Sequence, residues 1–349
     1  MKKRVTITNV ALQAGVSKST VSHVINHTRF VEPETSQKVV SAIEFLGYRP
    51  SGIARSLVSK RTRTAGLLIS DVGNPFYHEV IMGVEDIALA NDYSVFLCNT
   101  SYDLDRGMKF IQSLIDKSVD GVLFMTSVLS FEMVQEVTKN QIKAVVLDWG
   151  NSHIDELAST ITIDFKDGIN QAVGHLVNLG HTRIAHVSGP LHLWTSQVRK
   201  EAFQEALCNH GLDPNEAIIV EGNLRIEGGT LAFIELSRYR QLPSAIIAAN
   251  DLTALGILWE ARNAGLRLPQ DLSIIGLDDI DLASKVTPAL TTIALPRFEA
   301  GQLAMQIMLN MLGSPSFQVF SQRVPTRLVL RDSTAAASNG ILLTDKGGD

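Results

Sequence analysis

The sequence predicts an α/β protein with a small helical domain at its N-terminus. Residues 6–26 have the pattern of two short helices separated by Gly15, and a third apolar helical period covers residues 33–46. From Ala65 onward, short apolar runs alternate with amphipathic stretches, which is typical of a doubly wound parallel sheet. At 349 residues, the chain is long enough for two or three domains.

The first two helices form a helix-turn-helix pattern. Thr6 or Thr8 can cap the first helix, Gly15 can end it in a left-handed conformation, and Ser17 can cap the second. The second helix has an apolar face, and its opposite face carries hydrogen-bond donors at Lys18 and His23. Such donors near a helix start suit reading of the DNA major groove. The alternative is an ordinary helical hairpin with polar residues outward.

The third helix and the segment after it complete the N-terminal region. Pro33 fits the first turn of a helix, and Gly47 can end it. Ser51 can cap a helix of little more than one turn within residues 50–58, although such a helix is too short to be stable alone. Leu57 on that helix has no core beneath it. It is either a minor packing residue or a wedge that inserts between base steps in the minor groove.

The rest of the chain contains at least seven candidate strands after TAGLLIS. They cover residues 94–97, 121–125, 144–147, 184–187, 217–220, 245–248 and 273–276, with helical stretches such as 107–116 and 254–264 between them. So many strands fit two linked subdomains better than one sheet. Ligands bind such sheets beyond the carboxyl ends of the strands, where the turns here are polar.

Charge and composition separate the two regions further. The net charge of −5 combines 11 Lys and Arg against three acidic residues in residues 1–63, a net +8, with −13 in the remainder. A basic head on an acidic body indicates a polyanion partner for the head alone. Cys98 and Cys208 have no metal or redox spacing, and we expect both to be buried. We find neither a signal peptide nor a membrane span, and expect a cytoplasmic protein without a cofactor.

Two other classes of protein share this kind of core. An α/β enzyme would need a catalytic motif, but the sequence contains no nucleophile elbow, phosphate loop, zinc-protease motif or dinucleotide fingerprint. Its scattered histidines, which include His175 and His181, lack metal-ligand spacing. A solute-binding protein for transport would need a signal peptide and has no use for a basic head. We therefore favour a regulator that is not an enzyme.

Five stretches together resemble the LacI/GalR family of bacterial transcription regulators. They are VALQAGVSKSTVSHVIN, YRPSGIARSL, LLISDVGNPFYHEV, AANDLTALG and LPQDLSIIGLDD, and they fall in the family order over nearly the whole chain. The resemblance implies a hinge helix that orders on operator DNA and a core like that of periplasmic sugar-binding proteins. It also implies a dimer on a pseudo-palindromic site, which is most often a repressor.

The resemblance assigns DNA contacts by position. Lys18, Ser19 and His23 would touch base edges, other polar residues would mostly hold phosphates, and Leu57 would be the minor-groove wedge. His23 stands where many members have arginine, so the operator cannot be copied from the sugar repressors. The implied DNA-binding residues are Thr8, Ser17, Lys18, Ser19, Thr20, His23, Asn26, Arg29, Ala54 and Leu57.

The resemblance also assigns a pocket in the core. Arg199 and Asp278 match the pair that holds effector hydroxyls or ring atoms in many members, and a structural ion pair is the alternative. Phe76 and Tyr77 match aromatic pocket positions, and core packing is nearly as good an explanation for them. The implied effector-binding residues are Asn74, Phe76, Tyr77, Trp149, Trp194, Thr195, Arg199, Leu224, Asp251 and Asp278.

The identity of the effector stays open. Purine-responsive members have an arginine where this chain has Leu193 and an aromatic where it has Leu224, and both differences remove purine contacts. A sugar or sugar derivative is therefore our first expectation, because arginine, aspartate and an aromatic face suit hydroxyls and a ring. A purine or a protein corepressor is the alternative. The sequence does not say whether the effector releases DNA or promotes binding.

The expected domain boundaries follow from these patterns. Residues 1–49 are the helix-turn-helix domain, 50–62 the hinge helix and linker, and 63–334 the effector-binding and dimerisation core. One subdomain of the core takes about 63–163 and 293–322, and the other about 164–292 and 323–334. Residues 335–349 are expected to be a disordered tail. No leucine heptads follow Arg331, so a dimer is favoured over a tetramer.

Overall fold

A computed structural model describes residues 5–26, 28–48, 61–147, 154, 156–314, 319 and 321–337. The chain divides into two compact units, Met1–Arg63 and Thr64–Asp349. Among the described residues, no helix combines the length and apolar content that a membrane span requires.

The first unit contains the three predicted helices. They are α1 (Ile7–Ala14), α2 (Lys18–Asn26) and α3 (Pro33–Leu46). One apolar face of each helix contributes to a small core, in which the buried residues are Val10, Ala11, Val21, Val24, Val39 and Ala42. The periodicity of the sequence therefore predicted this unit correctly.

The ends of these helices follow local chemistry. Asn9 Oδ1 accepts hydrogen bonds from the backbone nitrogen of Thr6 at 2.9 Å and from its hydroxyl at 2.8 Å, so α1 begins after Thr6. The alternative cap, Thr8, is wrong, because Thr8 lies inside the helix. Gly15 and Gly47 have φ angles of 68° and 60° and end α1 and α3 in the left-handed conformation, as predicted.

The second unit is built on two six-stranded sheets. In the first sheet the order is β11-β5-β4-β3-β1-β2, and in the second it is β12-β10-β9-β8-β6-β7. The strands of the first sheet are β1 (Thr64–Ile69), β2 (Ser94–Asn99), β3 (Gly121–Met125), β4 (Lys143–Leu147), β5 (Ser159–Ile163) and β11 (Ser321–Val324). Those of the second are β6 (Ile184–Ser188), β7 (Ile219–Glu221), β8 (Ala245–Ala248), β9 (Ser273–Asp278), β10 (Thr291–Ala294) and β12 (Arg327–Val329).

Helices cover the faces of both sheets. They are α4 (Phe76–Ala90), α5 (Leu104–Asp116), α6 (Phe131–Lys139), α7 (Phe165–Asn178), α8 (Trp194–Asn209), α9 (Ile226–Leu236), α10 (Asp251–Asn263) and α11 (Arg297–Gly313). All strand pairs are parallel except β10 with β12. The chain crosses between the sheets three times, after β5, after β10 and after β11. In the second crossing, α11 packs on α4 and so brings the chain back to the first sheet. Two sheets linked in this way form two subdomains with a cleft between them, as the sequence predicted.

Three expectations need correction. The strand predicted at residues 217–220 is β7, which covers Ile219–Glu221. Cys98 is buried as expected, but Cys208 is exposed, because it falls on the outer side of α8. Residues 335–337 were assigned to a disordered tail, yet the Ala335 carbonyl lies 3.0 Å from His181 Nε2 and the Ala337 nitrogen donates to the Leu179 carbonyl at 2.8 Å. Residues 338–349 lie outside the described residues.

Candidate functional site

The exposed surface of α2 is held in place by the serine that precedes it. Ser17 Oγ accepts a hydrogen bond from the Thr20 nitrogen at 3.1 Å and lies 2.6 Å from the Ser19 hydroxyl. This confirms Ser17 as the cap of α2. Lys18 and Ser19 are exposed in the first turn, where side chains can reach base edges.

His23 is the next candidate along this helix. Its Nδ1 lies 2.8 Å from the Thr28 hydroxyl, in the segment just after α2, which fixes the orientation of the imidazole and leaves Nε2 for another partner. Asn26 instead folds back, because its Nδ2 donates to the Ser22 carbonyl at 2.9 Å. Arg29 is exposed beyond the helix and Thr8 is half-buried in α1. Ala54 and Leu57 lie outside the described residues.

The candidate ligand site is a cleft at the carboxyl ends of the strands in the second unit. The space in it that no protein atom fills is about 560 Å³, part of which is open to solvent. Each of β1 to β9 ends at or leads into at least one lining residue, so both sheets contribute to the wall. The lining residues are Asn74, Phe76, Tyr77, Tyr102, Met125, Thr126, Ser127, Leu147, Ile163, Phe165, Thr195, Arg199, Leu224, Asn250 and Asp278.

Arg199 is the central polar group of this cleft. Its Nη1 donates to the Ala249 carbonyl at 2.8 Å, and its guanidinium carbon lies 4.4 Å from the centroid of the Phe165 ring. Its Nε is buried without a hydrogen-bond partner among the described residues. The guanidinium is therefore held in place in the wall of the cleft, where a planar cation suits a ligand with oxygen acceptors.

Asp278 is buried at the end of β9 in a strained conformation. Its φ angle is 123°, a region that residues other than glycine rarely adopt. Burial raises the pKa of Asp278 to about 8; the Arg199 guanidinium opposes this shift and the Asp251 carboxyl adds to it. Strain and a raised pKa at the wall of a cleft are typical of a functional site.

The turn after β1 supplies the aromatic part of the wall. Asn74 Oδ1 accepts from the Phe76 nitrogen at 3.0 Å and so holds the start of α4. The rings of Phe76 and Tyr77 meet edge to face, with centroids 5.1 Å apart. Burial raises the pKa of Tyr77 to about 12, so its hydroxyl stays protonated at neutral pH and can donate.

The structure separates the sequence-predicted pocket residues into two groups. Asn74, Phe76, Tyr77, Thr195, Arg199, Leu224 and Asp278 all line the cleft. Asp251 does not line it: its two oxygens accept from the Thr292 hydroxyl at 2.6 Å and the Ile280 nitrogen at 2.8 Å. Trp194 is partly exposed beside Thr195 and is also not a lining residue. Trp149 lies outside the described residues.

Sequence reasoning missed several residues of the cleft. Tyr102, Thr126, Ser127, Phe165 and Asn250 line it, although none was a candidate. Each of these residues follows shortly after a strand, which is where a ligand meets a parallel sheet. A search for polar and aromatic residues at the ends of the predicted strands could have found all of them except Phe165, which follows β5, a strand that the sequence pattern did not predict.

Comparison with known proteins agrees with both halves of this architecture. A model described as bacterial regulatory proteins, lacI family, matches residues 6–51, and a model of the periplasmic binding protein-like domain matches residues 173–334. Among relatives, the chain is 36% identical over 331 residues to catabolite control protein A of Priestia megaterium, covering 95% of this chain and 99% of that protein. It is 37% identical over 334 residues to the ribose operon repressor of Escherichia coli K12, covering 95% and 99%.

Solved structures give the same result. The lac repressor dimer bound to operator and the anti-inducer ONPF aligns with a TM-score of 0.85 at 28% identity, over 96% of this chain and 100% of that one. A LacI family transcriptional regulator from Enterococcus faecium with bound ribose aligns with a TM-score of 0.72 at 30% identity, over 79% and 100%.

A helix-turn-helix unit joined to a two-sheet core with a polar cleft defines a ligand-controlled transcription regulator. This chain belongs to the lacI family of bacterial regulatory proteins. It is a DNA-binding transcriptional regulator and not an enzyme.

Proposed function

We propose that this regulator is a homodimeric repressor that binds a pseudo-palindromic operator through α2, and that a small sugar in the core cleft controls its affinity for DNA. The observation that carries the ligand part is the placement of Arg199, Asp278 and the Phe165 ring in one wall. A charged fork beside an aromatic face suits a ring that carries several hydroxyls. The ribose operon repressor and the ribose-bound regulator are relatives of this chain, which supports the same ligand class.

The apolar residues of the cleft favour a sugar over a purine. Leu224 lines the cleft and is 6% exposed, and Leu193, which is 3% exposed, belongs to the same buried apolar cluster behind it. Neither side chain can hydrogen-bond the nitrogens of a purine, and a buried purine nitrogen without a partner loses affinity. The HTH-type transcriptional repressor PurR of Vibrio vulnificus is 37% identical to this chain over 329 residues, and purines, the alternative effector class, therefore belong in the ligand screen.

Control of DNA binding would come from the position of the cleft between two subdomains. Asn74, Phe76 and Ser127 reach it from the first sheet, while Arg199, Asn250 and Asp278 reach it from the second. A ligand that touches both sets favours the arrangement in which they are close together. The change would pass to the hinge at residues 50–62 and to the heads, where Lys18, Ser19 and His23 read bases.

A dimer would hide a large apolar surface of the core. Met82 and Leu89 on α4, and Phe96 and Leu97 on the edge strand β2, are 39–79% exposed. Leu231 on α9 and Trp259 on α10 are 58% and 66% exposed. Apolar patches of this kind usually cover an interface, and two-fold dimers match operators with two half-sites. As an operator-binding protein, it would act in the cytoplasm.

The experiment that tests the proposal combines a ligand screen with DNA binding. The full chain is melted with D-ribose, D-ribose 5-phosphate, cellobiose, adenine and guanine; a ligand at 100 times its Kd stabilises the fold by about 2.7 kcal/mol. An operator is selected from random DNA with the same protein. Each ligand that raises Tm is then added to the selected DNA, which shows whether it releases or promotes binding.

The outcomes separate the parts of the proposal. A sugar that raises Tm and changes DNA affinity supports the full proposal. A purine that does so would show that Leu193 and Leu224 do not exclude purines. Selection of a site without two-fold symmetry, with a monomer by analytical ultracentrifugation, would contradict the dimer.

A further inference from the structure

An apolar cluster that both subdomains build reaches the cleft, because two of its members, Leu224 and Tyr102, line it. Leu193, Leu224 and Ala249 are buried there, and Tyr102 and Val128 pack against them. The first three follow β6, β7 and β8 of the second sheet, and the other two follow β2 and β3 of the first. We call these five residues the plug. Since its members come from both sides, the plug exists only while the cleft is closed.

Leu224, the leucine of the plug that lines the cleft, has an unusual backbone conformation. Its φ angle is 62°, a left-handed value, and its carbonyl accepts a hydrogen bond from Asn250 Nδ2 at 2.9 Å. Its Cδ2 lies where it would be 2.6 Å from a Cβ at Gly189, so only glycine at that position permits the contact. The strained backbone of Leu224 is thus held in part by Asn250, which also lines the cleft.

An ion pair lies directly beside the plug and joins the two subdomains. Arg225 Nη2 lies 2.8 Å from Asp71 Oδ2. The other oxygen of Asp71 accepts from the Gly73 nitrogen at 3.0 Å, and the Asp71 carbonyl accepts from the Asn74 nitrogen at 3.0 Å. Asp71 therefore holds both the turn that presents Asn74 to the cleft and the arginine from the opposite side. We call this ion pair the bridge.

We propose that the plug and the bridge together determine which ligand the cleft accepts and how long it stays. The plug limits the ligand to a single sugar ring without a phosphate, and the bridge slows the opening through which that sugar leaves. This inference rests on the proposed function, because it takes the ligand to be a sugar. It adds the size and charge of the ligand, and it assigns Asp71 and Arg225 as positioning residues.

The limit on size and charge follows from what a longer ligand would meet. A second ring or a phosphate at this end would meet Leu224, whose side chain offers no hydrogen bond, with the rest of the apolar cluster behind it. Arg199, the one cation among the described lining residues, already donates to the Ala249 carbonyl and stacks on Phe165. A neutral monosaccharide avoids the cost of placing a charge against this apolar end.

The bridge is partly exposed to solvent, as expected of a weak interaction between the subdomains. Arg225 is 58% exposed and Asp71 is 17% exposed at their side chains. Ion pairs of this kind change an equilibrium by a factor of about two to five, and salt screens them. The bridge therefore adjusts the residence time of the ligand rather than deciding whether it binds.

The first arm of the test needs no ligand. Hydrogen exchange is measured on the full chain for the turns at residues 71–76 and 222–225, in wild type, Asp71→Asn, Arg225→Gln and the swapped pair Asp71→Arg with Arg225→Asp. We expect exchange to be about two- to five-fold faster in each single variant. In the swapped pair we expect it to recover at residues 222–225, because an arginine at position 71 restores the ion pair but cannot accept the hydrogen bond from the Gly73 nitrogen. Arg267→Gln is the matched control, since it breaks a 2.7 Å ion pair with Asp271 before the amino end of β9, away from the cleft.

The second arm uses D-ribose, D-ribose 5-phosphate and cellobiose as probes in titration calorimetry and stopped-flow release. We expect wild type to bind ribose at least tenfold more tightly than the other two. Leu224→Ala should improve cellobiose relative to ribose by about tenfold or more, because it opens the apolar end. Val128→Ala, at a half-buried position, repeats this test with less risk to folding. Asp71→Asn and Arg225→Gln should release ribose two- to five-fold faster.

Failure of the proposed function and failure of this inference look different. If no sugar binds wild type while both bridge variants speed exchange, the sugar proposal and the plug's size limit fail and the closure stands. If ribose binds but exchange and release in the bridge variants match those of Arg267→Gln, the bridge is overturned. If wild type binds cellobiose or ribose 5-phosphate as tightly as ribose, the plug is overturned.

Discussion

The guanidinium of Arg199 is stacked on the ring of Phe165 at 4.4 Å and is tied by Nη1 to the Ala249 carbonyl at 2.8 Å. These two contacts fix the plane of the group before any ligand arrives. A lysine can reproduce the charge but neither the planar stacking nor the paired donors. Arg199 therefore acts as a preorganised fork, and its contribution depends on shape as well as on charge.

We expect Arg199→Lys to weaken ligand binding by about 1.5–3 kcal/mol, the cost of losing charged hydrogen bonds. Titration calorimetry with D-ribose measures this change. Arg183→Gln is the matched control, because Arg183 also donates to a carbonyl, that of Gln241 at 2.7 Å, but it lies before the amino end of β6. Equal losses in both variants would mean that Arg199 only supports the fold.

The pH dependence of stability should report on Asp278. Burial raises its pKa to about 8 in the folded protein, against about 3.9 in an unfolded chain. Between these values the folded state keeps a proton that the unfolded state releases, so the free energy of unfolding falls as pH rises and levels off above about 8. Urea titrations from pH 6.5 to 9 measure this slope.

Asp278→Asn replaces the titratable carboxyl group with a neutral amide and should therefore flatten that slope. Burial lowers the pKa of His186 to about 4. This histidine therefore reduces the free energy of unfolding only at pH values below about 6.5, which lie outside the pH range of the titration. Asp251, with a pKa raised by burial to about 6, has lost most of its proton by pH 7 and so adds little to the slope. Parallel curves for the two proteins would contradict a protonated Asp278.

Sequence pattern predicted the strands whose apolar runs are continuous and missed those that mix threonine with apolar residues. The strand β5, STITI, and the strand β10, TTIA, are buried, but their threonines hide the apolar pattern. The cost of burying Thr292 is offset by its 2.6 Å hydrogen bond to Asp251, a partner 41 residues away that no local pattern reveals. The strands β11 and β12 are short edges with exposed residues, and they were missed for that reason.

The candidate site shows the same limit. Asp251 and Asn250 are neighbours in sequence, and the resemblance pointed to the aspartate. In the structure, Gly276 on β9 lies so close to the Asp251 carboxyl that a Cβ at position 276 would be 2.1 Å from Oδ1. The carboxyl therefore lies inside the fold. Asn250, as the cap of α10, is the residue that lines the cleft. We expected Cys208 to be buried, but it is exposed. The helical period alone predicts this exposure, because α8 buries Ala206 and Leu207 and therefore turns residue 208 outward.

Close packing of α4 on α11 gives a stability prediction. A Cβ at Gly83 would lie 2.1 Å from the Phe298 carbonyl oxygen, and backbone cannot move aside as a side chain can. We expect Gly83→Ala to lower the free energy of unfolding by about 1–3 kcal/mol, the usual cost of overpacking. Gly313→Ala is the control, because nothing lies within 4 Å of its Cβ at the end of α11, and it should be neutral or slightly stabilising. Urea denaturation compares the two.

The wedge assigned to Leu57 also predicts a distinct result, although this residue lies outside the described part of the chain. Leu57→Ala should weaken binding to the selected operator by at least tenfold, because the kinked DNA loses the side chain that holds it open. Binding to unrelated DNA, which depends on phosphates, should change little. Equal losses on both DNAs in a fluorescence anisotropy titration would contradict the wedge.

His23 offers the sharpest test of how the head reads DNA. The contact of its Nδ1 with Thr28 at 2.8 Å leaves Nε2 to meet a base edge from α2. We expect His23→Ala to cost about 1–3 kcal/mol on the selected operator and to relax the preference at one position in each half-site. Repeated selection from random DNA measures this relaxation directly.

Asn26→Ala is the comparison that separates reading from positioning. Asn26 lies on the same helix, but its amide bonds back to the Ser22 carbonyl, and its assigned partner is a phosphate. Its loss should weaken binding to all DNA sequences by a similar factor and leave the selected sequence unchanged. If His23→Ala behaves in this way too, α2 holds the DNA through His23 without reading it there, and the base contact must come from Lys18 or Ser19 instead.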